Sequence, residues 1–329
     1  MKIALCFIIS YDHTLNKENI WIEWINKNKD IINVYFHYKD YNLITSEWIK
    51  KHAIPQKYIS DTTYLHMVSA YMSLMNYAIH HDKSNTWFCF LTDACVPIIT
   101  PLKFREMFFK KKKYSIMSWR PAYWNVNLSK RGNLRYFKKE YHIANTPWFI
   151  LNKEHAICCF QYSVVNSKLF KLICSGEIAN ENIFAIILYS MGRLNDVINE
   201  ETTATDWSRM MTPTSPYLFT RGDFIDQNFI NDFLLKNKYT VFLRKVDKKF
   251  PDDLLLNYIK KDDNNHKLRD KVFWLQYRWF FKILTYSLCS LFFTLTLFVF
   301  LVLLHFHLFP HSIQLTNVVI GSSAERVCI

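Results

Sequence analysis

The side chains that could do chemistry here fall into an acid, a pair of cations and a few flanking polar and aromatic groups. Glu181 follows Asn180 at the head of the apolar run IFAIIL. A carboxylate so placed can take a proton from an attacking hydroxyl, if the fold brings the two within hydrogen-bond reach. Asn180 is a good N-cap and would fix the turn. The same placement also suits a first-turn Glu that only answers the helix dipole. Lys245, with Arg244 beside it, closes the strand-like FLRKV. Two fixed cations can stabilise a departing phosphate, although a generally basic surface offers the same pair. Thr92 and Asp93 end the apolar run WFCFL. Ligands of open α/β sheets gather at such strand ends, and ordinary turns also place Asp and Pro there. Trp148 could stack on a ring, though a lone Trp is more often core. Asp206, Trp207 and Arg221 add an acid, a ring and a cation in the Thr-, Ser- and Pro-rich stretch around 202–216.

The elements that must position these residues read as an α/β sheet. Lys2–Ser10 is a first buried strand, too short to span a bilayer. Glu18–Lys27 is amphipathic, with Trp21, Trp24 and Ile25 clustered. Asn33–His37 is a second strand, which makes strand–helix–strand. From Leu65 to Ile79 the apolar residues recur at helical spacing. Further strands are expected at Trp87–Leu91, Tyr114–Trp119 and Trp148–Leu151, and helices at Lys153–Ser163 and Glu181–Ser190. The stretch 202–216 reads as a loop over the site.

The chain has 329 residues and only 5 glycines. It contains neither GxGxxG nor GxxxxGK[ST], so Gly-rich phosphate loops are not expected. Net charge is +13, which suits anionic partners in general. The Lys110–Lys113 run is read as a solvated helix end, and with no accompanying motif nucleic acid is not expected as a partner. Eight cysteines show neither CxxC nor zinc spacing. Cys6 and Cys89 lie in apolar runs and are expected as buried free thiols, which suggests a reducing compartment.

Residues 251–282 are expected as a polar and basic stalk. Ile283–Leu304 follows without a formal charge, long enough to cross a hydrocarbon core of ~30 Å. Aromatic residues crowd its N-terminal flank, and basic residues precede it much more than they follow. The expectation is a single C-terminal anchor, a short tail at 305–329 and a cytosol-facing domain at 1–250.

Five segments in order, FLTDACVPI, NTPWFILNKEHA, ANENIFAIIL, ATDWSR and FLRKV, resemble the core-2/I-branching β-1,6-N-acetylglucosaminyltransferases and their peptide O-xylosyltransferase and plant relatives. The resemblance covers roughly residues 1–250. It implies a GT-A-like (Rossmann-like) α/β domain and an inverting transfer from a UDP-sugar, GlcNAc before xylose, to a hydroxyl on a glycan or glycoprotein. It implies Glu181 as base and Lys245 on the diphosphate, with Arg244, Thr92, Asp93, Trp148, Asp206, Trp207 and Arg221 about the substrates. With cations in that role and no convincing DxD, neither a metal nor another cofactor is expected. Asn stands on both sides of Glu181 where the family has Asp and His. An inactive, membrane-anchored binding protein is the alternative.

Overall fold

A computed structural model of the chain describes residues 1–260 and 301–304. The first compact unit, Met1–Asp262, is mixed α/β. In chain order it contains β1 (Lys2–Ile8), α1 (Glu18–Asn26), β2 (Ile32–His37), α2 (Glu47–His52), α3 (Val68–His81), β3 (Asn85–Thr92) and β4 (Val96–Pro97). Next come α4 (Pro101–Lys111), β5 (Ser115–Ile116), β6 (Trp119–Pro121), β7 (Ile143–Asn145), β8 (Ile150–Asn152), α5 (Lys153–Val165) and α6 (Ser167–Cys174). The unit ends with α7 (Ile183–Ser190), β9 (Val197–Ile198), β10 (Thr203–Thr205), α8 (Phe224–Lys236), β11 (Phe242–Arg244) and α9 (Asp252–Lys260).

The main sheet runs β2-β1-β3-β8-β5-β9. Only β8 is antiparallel to its neighbours; β1 pairs in parallel with β2 and β3, and β5 with β9. This parallel-rich α/β sheet fits the expected GT-A-like fold. Its faces explain the unbroken apolar runs, since a strand covered on both sides needs no polar alternation. Along β1, Ile3, Leu5 and Phe7 pack with Trp21, Trp24 and Phe104. Ala4, Cys6 and Ile8 point the other way, into Tyr71, Leu74, Phe149 and Phe184. The indole of Trp24 also donates to the Ile99 carbonyl at 2.8 Å. Trp24→Ala would therefore cost roughly 3–5 kcal/mol in lost burial and an unfilled cavity. Cys6 and Cys89 are buried free thiols, and burial raises both above the ordinary thiol range.

Three departures from the expected elements have local causes. α3 starts at Val68, because Thr63 and His66 close a turn first and the Leu65 carbonyl accepts from Ile178 N at 2.7 Å. The expected strand at 114–119 divides: β5 stays in the main sheet, while β6 leaves it to pair with β7. The start of the expected stalk is folded. Leu254, Leu255, Tyr258 and Ile259 share one face of α9, Leu255 and Ile259 are buried, and Lys260 pairs with Glu23 at 2.9 Å.

Among the described residues no helix is long and apolar enough to cross a membrane. The span expected at 283–304 lies outside the described residues except for Leu301–Leu304, which are helical. The tail at 305–329 also lies outside them.

Candidate active site

β1 lies between β2 and β3, and in open α/β sheets ligands bind beyond the C-terminal ends of strands at such a switch in strand order. Asp93 sits there, and its carboxylate accepts the Ser10 N–H at 3.0 Å. Thr92 is buried one residue earlier. Its hydroxyl accepts from Ala94 N at 3.2 Å and lies 3.4 Å from Cys95 Sγ. A second, small sheet, β10-β11-β4, starts from this turn. Just beyond its strands Ala94 O accepts from Val246 N at 2.9 Å, which ties the chain after β11, with Arg244 and Lys245, to the turn at Asp93.

Glu181 is brought in by the chain around it. Gly176 packs so closely on the 130–133 loop that a Cβ would lie 2.7 Å from the Gly132 carbonyl carbon. Glu177 N donates to Lys130 O at 3.0 Å and Gly132 N to Glu177 O at 2.9 Å. Ile178 is then forced to φ +50°, a region that costs a β-branched residue about 1–3 kcal/mol. Asn145 of β7 secures the next turn from both ends: its Nδ2 donates to Asn180 O at 3.0 Å, and its Oδ1 accepts from Ala185 N at 3.2 Å. Glu181 therefore ends a 3-10 turn, Ala179–Glu181, rather than opening α7. Asn180 does not cap the helix. Asn182 holds the cap position and makes no capping bond; its side chain donates to Ile143 O at 3.0 Å.

Three arginines surround the Glu181 carboxylate. Arg131 Nη1 is 3.5 Å from Oε2, and the Arg131 guanidinium lies 4.9 Å over the Trp124 ring. Arg244 and Arg120 also act on it electrostatically. Burial raises the carboxyl above the ordinary glutamate range, with Arg131, Arg244 and Arg120 opposing. Even so the side chain keeps 30% of its surface open. A carboxylate with a raised pKa and an open face can accept a proton more readily than an ordinary one.

Arg244 joins the acid to the turn at Asp93. Its guanidinium lies 4.9 Å over the Trp148 ring, and its Nε is buried without a hydrogen-bond partner. Trp148 is itself buried and stacks on Tyr71 at 6.3 Å, and its Nε1 is also unpartnered. Lys245, next in sequence, donates to Ser215 Oγ at 3.1 Å. Burial and then Arg244 pull its ammonium below the usual lysine range, and Asp93 opposes them. Glu181, Trp148, Arg244, Lys245 and Asp93 thus form one connected group.

Other residues expected at the site have different surroundings. The Asp206 carboxylate is 1% exposed and turned inward. It accepts from Ser208 N and Oγ and from Arg209 Nε, the last at 2.6 Å. Trp207 beside it is 51% exposed. Arg221 is exposed and acts on Tyr217. Sequence reasoning missed three residues of the acid's surroundings: Arg120, Arg131 and Glu201. Burial raises the Glu201 carboxyl, with Ser118, Arg120 and Thr146 opposing, so it shares Arg120 with Glu181. No motif marks these residues; the β6–β7 pairing and the Gly176 contact assemble them. A cavity of about 430 Å³ between α3, α5 and α6, lined by Met72, Phe160, Phe170 and Cys174 among others, includes none of the expected site residues.

A sequence model described as Core-2/I-Branching enzyme matches residues 4–231. Its match takes in Thr92, Asp93, Trp148 and Glu181 and ends before Arg244 and Lys245, whose place by the turn at Asp93 comes from β11 pairing with β4. No curated protein matches the chain.

Proposed function

The chain belongs to the Core-2/I-Branching enzyme family of glycosyltransferases, and from that premise we propose an inverting, metal-independent transfer from a UDP-sugar to a hydroxyl acceptor. A family member of this kind takes a nucleotide-sugar donor and a glycan acceptor. GlcNAc is the first donor sugar to test and xylose the second. The observation that most supports the reading is the position of Arg244. It acts on the Glu181 carboxylate and is the immediate neighbour of Lys245, so a proton acceptor and an anion site face one cleft.

In this reading the acceptor O–H gives its proton to Glu181 while its oxygen attacks the anomeric carbon. The bond to the UDP oxygen breaks on the opposite side. Negative charge collects on the departing diphosphate, and Lys245 and Arg244 meet it. These donors are already in place, so little reorganisation is needed as the charge develops. Trp148, held under Arg244, fixes the cation and closes the floor of the cleft. Asp93 and Thr92 stand at the strand end, where donor hydroxyls would lie. Trp207 offers an exposed ring to a sugar, with Asp206 holding its loop and Arg221 farther along it. The chain's C-terminal segment at 283–304 is proposed to anchor the enzyme with its domain facing the cytosol. Protease protection of the N-terminal domain in intact membranes would reject that topology.

The test is a panel of UDP-sugars with the purified chain, read as UDP release with and without acceptor, with chelator present and absent. UDP release that survives chelation supports the proposal. A strict Mn²⁺ requirement overturns its metal-independent part. UDP-sugar neither bound nor cleaved would instead leave a membrane-anchored binding protein.

A further inference from the structure

We propose that the acceptor is an anionic saccharide, bearing a carboxylate, sulfate or phosphate, which docks on the basic and aromatic segment 119–142. The inference rests on the transferase reading and concerns the acceptor half of the same cleft.

This segment borders Glu181: Arg131 is its ion-pair partner and Arg120 adds to its field. It carries Arg120, Lys130, Arg131, Arg135, Lys138 and Lys139 against one carboxylate, Glu140. Of the six cations only Arg131 has a carboxylate partner among the described residues, Glu181 itself. The other five are exposed. The diphosphate role is proposed for Arg244 and Lys245, at the end of β11, and these five cations belong to a different segment.

Rings are interleaved with these charges. The Arg120 guanidinium lies 4.7 Å from the Tyr123 ring centroid, Tyr123 is 5.3 Å from Trp124, and Arg131 covers Trp124. Flat apolar faces beside guanidinium groups suit a sugar ring that carries an acidic substituent. The rings set between the guanidinium groups favour a saccharide over a bare anionic surface such as a membrane.

The experiment compares matched oligosaccharides, neutral or carrying one uronate, sulfate or phosphate, by titration onto the protein without donor and then as acceptors with UDP-sugar. The expected result is binding about tenfold tighter for at least one anionic member at about 50 mM salt, with the advantage shrinking at about 300 mM. The three arms identify which acid is read. Arg120→Gln combined with Lys130→Gln should remove the preference, with folding checked by thermal melting. The wild-type salt dependence needs no variant. Equal binding of neutral and anionic members overturns the proposal, as does binding to anionic lipid vesicles without binding to any oligosaccharide. UDP release in the absence of acceptor reports the donor half separately. If it persists while the preference is absent, only this inference fails; if no UDP-sugar is cleaved or bound, the transferase reading fails with it.

Discussion

Two arginine–carboxylate clusters in this protein are built from similar groups and behave in opposite ways. In one, Asp206 and Asp226 flank Arg209 at 2.6 and 2.9 Å, and the two acids are 1% and 0% exposed. Arg209 also lies 3.8 Å from the Tyr217 ring centroid. Burial alone would raise Asp206, but hydrogen bonds from Ser208 and Arg209 outweigh it and lower the pKa. In the other cluster Glu181 faces three arginines, its contact with Arg131 is 3.5 Å, and burial wins, so the pKa rises. Close, near-complete pairing fixes a charge in one form and builds structure. Looser pairing, with an open face, leaves a group free to exchange a proton. The first cluster holds the 206–226 loop; the second is the candidate for chemistry.

The sharpest way to break this contrast is Glu181→Gln. Transfer should fall by about a thousandfold, the range of a lost general base, while the melting temperature changes little. Near-normal turnover in that variant would remove the mechanism. Arg209→Met should do the reverse. It strands two buried carboxylates and should cost about 3 kcal/mol or more of stability in urea titration, with turnover per folded molecule largely kept. Lys245→Ala comes next, with a loss of about a hundredfold in kcat and weaker UDP binding by calorimetry. An unchanged kcat would assign Lys245 to surface charge.

The smallest effects are in pH dependence. Glu181 must be ionised to accept a proton, so kcat/KM should fall on the acid side, with a limb above the ordinary glutamate range. Arg131→Gln removes a charge that lowers this pKa, so the limb should move to higher pH. A limb that stays put would show that Arg131 does not act on the acid. Asp206 has the opposite sign. Its folded-state pKa is lowered, so its contribution to stability is present above the unfolded value and is lost as pH falls through the folded one. Urea titrations from neutral to acid pH should show that loss in wild type and not in Asp206→Asn, which starts less stable.

Much of the scaffold was legible in the residues. The runs of β1 and β3, the amphipathic α1 and most of α3 follow from periodicity, because burial on one or two faces leaves a repeating trace in sequence. Glu181, Trp148, Asp93 and Lys245 were named as candidates from the order of short segments. The 3-10 turn at Glu181 was not: Asn180 looked like a cap, but Asn145, 35 residues away, takes its carbonyl. The fold of 252–260 was hidden by its charged composition, which masks the Leu255 and Ile259 face.

What the sequence determined alone was the α/β class of the fold and which carboxylate to propose as the base, since hydrophobic period and residue chemistry are local properties. The company that acid keeps was decided only in three dimensions. Arg131 reaches it through the close Gly176 contact, Arg120 through the pairing of β6 with β7, and Arg244 through β11 joining β4 and β10. The physical reason is that a pKa depends on burial and on charges within a few ångströms, and those neighbours come from chain segments tens of residues apart.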